Sequence, residues 1–183
     1  MKKILSAFAV AAVTATVQAA SLNWAIATVY EPGTDTLANG YSAYLFITEQ
    51  ANDYGAKVTT VDEIESLIQS KGSLSDYIAA QVAISNGRQA VSATGYNGNN
   101  FANGDSLSGF AVIFNATDYS EATGYFVTAE KSASWTSGTG AKSLAFGAQT
   151  ATKNATAWTA VPEPATAALA LLGLGLMIKR RKA

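Results

Sequence analysis

The chain has no cysteine and no histidine among its 183 residues. These two absences exclude more chemistry than any motif in the sequence suggests. Without thiols the body has neither disulfide staples nor a thiolate nucleophile. Without either residue type, Ser–His and Cys–His pairs and the usual zinc sites are excluded. Carboxylate pairs, Ser–Lys arrangements and oxygen-ligated metals are what remain for catalysis. Proline is scarce as well: of three, Pro162 and Pro164 stand two residues apart near the end. Long apolar runs are confined to the two ends.

At the first end, Lys2 and Lys3 precede a mostly apolar stretch, residues 4–17, in which small side chains dominate. Val17-Gln18-Ala19 then offers small side chains at the two positions that a signal peptidase inspects. This three-part layout is that of a secretory signal peptide. It predicts a leader over residues 1–19, cleavage after Ala19 and a new N-terminus at Ala20.

At the other end, residues 165–178 form a 14-residue run with only Thr166 polar, followed by Lys179, Arg180, Arg181 and Lys182. As a helix this run reaches about 21 Å at about 1.5 Å per residue, against a hydrocarbon core of about 30 Å. It spans as a short transmembrane helix if the bilayer thins or the basic residues snorkel to the headgroups. Those bases form a stop that stays cytoplasmic by the positive-inside rule. Between body and run stands Pro162-Glu163-Pro164. Each proline fixes φ and removes a backbone donor, and each disfavours helix at the residue before it. Residues 161–164 are therefore expected to be extended and exposed just outside the membrane, where a membrane-embedded enzyme can take an unpaired peptide.

Leader, polar body, Pro-Glu-Pro, short apolar run and terminal basic cluster together resemble the PEP-CTERM sorting signal. That signal is carried by secreted proteins of Gram-negative bacteria that make exopolysaccharide. The resemblance covers residues 162–183. It implies recognition of Pro162, Glu163 and Pro164 by an exosortase, a membrane-embedded enzyme resembling cysteine proteases. It further implies loss of the tail and transfer of the body to a surface or matrix component. It implies nothing about the fold or activity of the body.

The body proper, residues 20–161, is one domain in length. Six of the twelve Lys/Arg lie in the end segments, and of the thirteen acids only Glu163 lies outside the body; 6 bases against 12 acids leave the body at −6. An acidic body argues against nucleic acid, which needs clustered Lys/Arg. It argues equally against a basic patch for anionic lipid.

Within the body, apolar alternation predicts strands over 22–30 and 41–49, the second apolar on both faces and so interior. Further short β-branched and aromatic runs follow at 109–115, 124–130, 143–148 and 156–161. Between them Thr60-Val61-Asp62-Glu63 reads as a capping box. Val61, Ile64, Leu67 and Ile68 follow at helical spacing, and Gly72 is expected as the left-handed cap. Leu74, Ile78 and Val82 suggest a second helix closed by Asn86-Gly87, giving a helical hairpin over 61–85. The fold class expected is mainly β: an antiparallel sandwich or barrel-like domain of six to eight strands with that hairpin inserted.

Few residues in the body suggest chemistry. Asn97, Asn99, Asn100, Asn103 and Asp105 could offer oxygens to Ca²⁺, but they miss the EF-hand spacing and supply one carboxylate; Asn and Gly are also what turns require. No metal or cofactor is expected. Trp24, Trp135 and Trp158 could form a sugar-stacking platform, although strand aromatics usually fill a core; Trp135, beside a loop, is the candidate for glycan contact. Glu49, Glu63, Glu65, Glu121 and Glu130 could supply a glycosidase pair. Asn115-Ala116-Thr117 and Asn154-Ala155-Thr156 fit a glycosylation sequon, a use that the bacterial resemblance argues against.

The reading that results is a non-enzymatic secreted protein, structural or adhesive at the cell surface or in an exopolysaccharide matrix or biofilm. Its expected partners are signal peptidase, an exosortase, the membrane transiently, and extracellular polysaccharide. A carbohydrate-binding module and a carboxylate-dependent glycoside hydrolase are the alternatives.

Overall fold

The computed structural model describes residues 22–51, 55–92, 104–134 and 142–163. The signal cleavage residues Val17, Ala19 and Ala20, Trp135, Pro164, the apolar run and the basic stop lie outside the described residues, as does the Asn-rich loop up to Asn103. Among the described residues no helix is long and apolar enough to cross a membrane.

The described residues form nine strands and one α-helix, arranged in three layers. The first layer is a small sheet built on β1 (Leu22–Ala27), flanked by β4 (Gln89–Ser92) and β8 (Lys142–Ala148). The second is a six-stranded sheet. Its order is β3 (Ile78–Ile84), β2 (Tyr41–Gln50), β5 (Ser106–Phe114), β6 (Gly124–Val127) and β9 (Thr159–Ala160), with β7 (Lys131–Ser134) pairing with β5 beyond β6. The third is α1 (Val61–Ser70).

Two apolar cores hold these layers together. Between the sheets, Trp24 and Ile26 of β1 and Leu144 and Phe146 of β8 pack with Leu45 and Ile47 of β2 and Ile113 of β5. Trp24 meets Phe146 edge to face at 6.3 Å. On the other side of the large sheet, Tyr44 and Phe46 of β2 and Phe110, Val112 and Phe114 of β5 pack with Ile64 and Ile68 of α1. The rings of Phe46 and Phe110 stack at 5.5 Å. β2 and β5 thus bury both faces. That is why both read as continuous apolar runs, while β1, with one face covered, alternates.

α1 starts as its sequence requires. Thr60 is extended, and its hydroxyl accepts from the Glu63 amide at 3.2 Å. The reciprocal half of the box takes another form: the Glu63 carboxylate accepts from the Thr59 hydroxyl and the Tyr77 hydroxyl, both at 2.9 Å. At the C-terminal end Lys71 rather than Gly72 holds the left-handed conformation, at φ 55°. The Lys71 amide bonds the Ile68 carbonyl and the Gly72 amide the Leu67 carbonyl, a Schellman pairing.

The expected second helix is a strand. Near its start the pairing register shifts at a bulge. Leu45 pairs with Ala80 and Phe46 with Ile78, so Ala79 is the extra residue. Ile78 thereby turns toward the helix-side core, while Ala79, Val82 and Ile84 join the core between the sheets. Asn86-Gly87 is accordingly a strand turn, with φ 50° and 65°, both positive as a type I′ turn demands. A Cβ on Gly87 would lie 2.6 Å from the Val29 carbonyl oxygen, so space and φ both call for glycine.

Two further expectations change. The strand expected over 124–130 ends at Val127 as β6, and β7 begins only at Lys131; between them the Thr128 hydroxyl accepts from the Ala111 amide at 2.9 Å. β1 and β8 run parallel within a mainly antiparallel fold, a pairing that needs a crossover; here nearly the whole body lies between them.

Candidate functional site

The region that the sequence marks for function is where the chain leaves the fold. Its approach begins at Thr152, fully buried, whose hydroxyl donates to the Gln149 carbonyl at 2.6 Å and accepts from the Tyr30 amide at 2.9 Å. The Thr152 carbonyl in turn accepts from the Trp158 indole at 2.8 Å. Trp158 packs edge to face on Tyr41 at 5.8 Å and tilted on Phe126 at 6.0 Å. Backbone and ring together pin the chain at residue 158.

After that anchor the attachment is lighter. β9 has two residues, both exposed, on the rim of the large sheet, pairing Thr159 with Tyr125 and Ala160 with Gly124. The Val161 amide donates to the Thr123 carbonyl at 2.9 Å. From α1, the Gln69 side-chain amide donates to the Ala160 carbonyl at 3.0 Å and to the Tyr125 hydroxyl at 3.3 Å. The Tyr125 hydroxyl donates to Glu65 at 3.3 Å. Burial, more than the nearby carboxylate, pushes that hydroxyl above its ordinary value. Half-buried Val161 packs against the helix-side core and closes a pocket of about 280 Å³ with Ile68, Leu74 and Tyr119. Pro162 and Glu163 follow, exposed.

Residues 160–182 match the PEP-CTERM protein-sorting motif. This match includes Pro162, Glu163 and Pro164 and begins inside β9, so the first two residues of the sorting signal, Ala160 and Val161, are also, among the described residues, the last ones bound at the sheet's rim. The PEP-CTERM signal implies export, a membrane-anchored precursor and processing by an exosortase. No curated protein and no solved structure matches the chain.

The other candidate residues are dispersed. Trp24 is 1% exposed in the core between the sheets, and Trp158 is half-buried against Tyr41 and Phe126. Glu63 serves Thr59 and Tyr77 at the start of α1, and hydrogen bonding to that carboxylate raises the Tyr77 hydroxyl above its ordinary value. Glu65 serves Tyr125, and Glu130 accepts from Thr48. Glu49 stands on β2, and Glu121 closes the short 3-10 turn Tyr119–Glu121. The Asn115 side-chain oxygen accepts from the Thr123 and Gly124 amides, both at 3.0 Å, and Asn154 caps the 3-10 turn Ala155–Ala157. Asp105 is buried just ahead of β5. Among the described residues no group of three or more Asp or Glu is placed to hold a metal ion.

Gln69 was not legible as a site residue. It lies on the polar face of α1, and only the path of β9 beneath the helix gives it a role.

Proposed function

We propose that this protein is a non-enzymatic component of the cell surface or extracellular polysaccharide matrix, delivered there by its sorting signal and structural or adhesive in its role. The observation that carries this reading is the continuity of fold and signal: the last strand lies at an exposed edge and passes into Pro162-Glu163 with no intervening linker. A body built this way is cargo presented for transfer. The carboxylates support the same reading. Glu63, Glu65 and Glu130 bind neighbouring hydroxyls, and Asp76 and Asp35 pair with Lys57 and Lys153 at 2.8 and 2.6 Å. Such bonds give these acids structural work, and both ion pairs are exposed and contribute little energy.

The test is replacement of Pro162, Glu163 and Pro164 by alanine in the full-length precursor. Helix-permissive alanines remove the extended bracket. The tail should stay uncut and the protein remain with the membrane fraction, read by intact mass. Unchanged processing would overturn the proposal.

A further inference from the structure

The overlap between sheet and sorting signal poses a physical problem. An enzyme that takes an extended peptide satisfies the peptide's main chain with its own groups. Ala160 and Val161 cannot offer theirs while paired to Gly124, Thr123 and Gln69. Distance sharpens the conflict. From Val161 to the start of the apolar run at Ala165 is four residue steps, about 14 Å at full extension. A folded body that close to a bilayer leaves little room for a bilayer-resident enzyme. Releasing residues 159–161 adds about 10 Å of reach, and release stops at the Trp158 anchor.

We propose that Gln69 is a positioning residue of the sorting reaction: with β6 it holds residues 159–161 as a latch that must peel from the sheet before an exosortase can take Pro162-Glu163-Pro164. This rests on the sorting function proposed above. The latch is built to open at modest cost. It is an edge strand of two exposed residues held by a few hydrogen bonds, among them Val161 to Thr123 at 2.9 Å and Gln69 to Ala160 at 3.0 Å. Segments of that kind open locally without global unfolding. Cleavage then scales with the fraction of time that the latch is open.

The absence of native cysteine makes a direct test possible. Since Val161 donates to Thr123, the next pair, Gly124 and Ala160, is a non-hydrogen-bonded pair. Such pairs have Cα atoms about 4.5 Å apart, within the range a disulfide spans. A Cβ on Gly124 meets nothing closer than 3.5 Å. Full-length precursor carrying Gly124→Cys and Ala160→Cys is incubated, oxidised or reduced, with membranes of a bacterium that contains the exosortase. The oxidised form should be cut about tenfold more slowly than wild type or worse, and reduction should restore the rate. Oxidised precursor cut at the wild-type rate overturns the latch and leaves the Pro-Glu-Pro reading standing. Wild-type precursor that is never cut overturns the sorting reading itself, and the latch with it.

A second variant acts in the opposite direction. Gln69 is exposed, and alanine suits a helix, so Gln69→Ala leaves the fold intact. Losing its bond to Ala160 should speed cleavage by roughly two- to tenfold, the ratio that matches one hydrogen bond. Faster exchange of the Val161 amide should accompany it, with the melting temperature unmoved. Unchanged or slower cleavage overturns the proposal.

Discussion

The centre of the large sheet and its rim at β9 obey the same pairing rules with very different security. β2 and β5 pair along almost their whole lengths, from Ser42–Phe114 to Gln50–Leu107, and lie under packed side chains on both faces. β9 pairs through two residues, both of them exposed. The same backbone hydrogen bond therefore belongs to a cooperative unit in one place and to a locally opening one in the other. The proposed sorting reaction needs this gradient, because the terminus must come free while the body stays folded.

The largest test of that gradient lies at the centre. Phe110→Ala removes a fully buried ring stacked on Phe46. It should cost about 3–5 kcal/mol, as such truncations do, and lower the denaturation midpoint accordingly. Gln69→Ala at the rim should leave that midpoint in place. If both variants melt alike, stability is not graded from centre to rim. An intermediate effect is expected at α1, which covers the helix-side core: Thr60→Ala removes the N-cap bond to Glu63 and should cost about 1 kcal/mol. A loss under a few tenths would mean that Glu63, through Thr59 and Tyr77, holds the helix start unaided.

The same gradient explains what the sequence revealed. The β-rich class and the doubly buried β2 and β5 could be read directly, because packing on both faces leaves a continuous apolar run. α1 was legible from Thr60 and the spacing of Ile64 and Ile68. β3 does not alternate cleanly, because the bulge at Ala79 sends Ile78 and Val82 into opposite cores, and their four-residue spacing alone fits a helix as well as a strand. The Asn86-Gly87 pair, which favours a hairpin over a helix end, was the signal to weigh more heavily. Pro162-Glu163-Pro164 was legible because its signal is local: two prolines around a glutamate, set directly before the apolar run and its basic end. Gln69 was hidden, since a clamp between residues 91 positions apart leaves no local trace.

The smallest effect concerns pH at the exit. Asp118 caps the 3-10 turn that carries Tyr119, which lines the same pocket as Val161, and it accepts from the Ser120 hydroxyl at 2.6 Å and the Ser120 amide at 2.8 Å. Those bonds, the hydroxyl's first, hold its carboxyl below the ordinary 3.8. A carboxylate whose folded value is depressed stabilises the folded arrangement above its unfolded value and loses that contribution as pH falls through the folded one. Acid should therefore loosen the turn and the pocket that it shares with Val161 just below the ordinary carboxylate range, with little change at the β2–β5 centre. Amide exchange near residues 119–122 and at Val161, followed from neutral pH to about pH 3, measures this. Asp118→Asn should remove the pH dependence while keeping an acceptor for Ser120. Exchange at the exit that tracks the centre at every pH would instead mean that rim and centre open together, and the terminus would then come free only when the body unfolds.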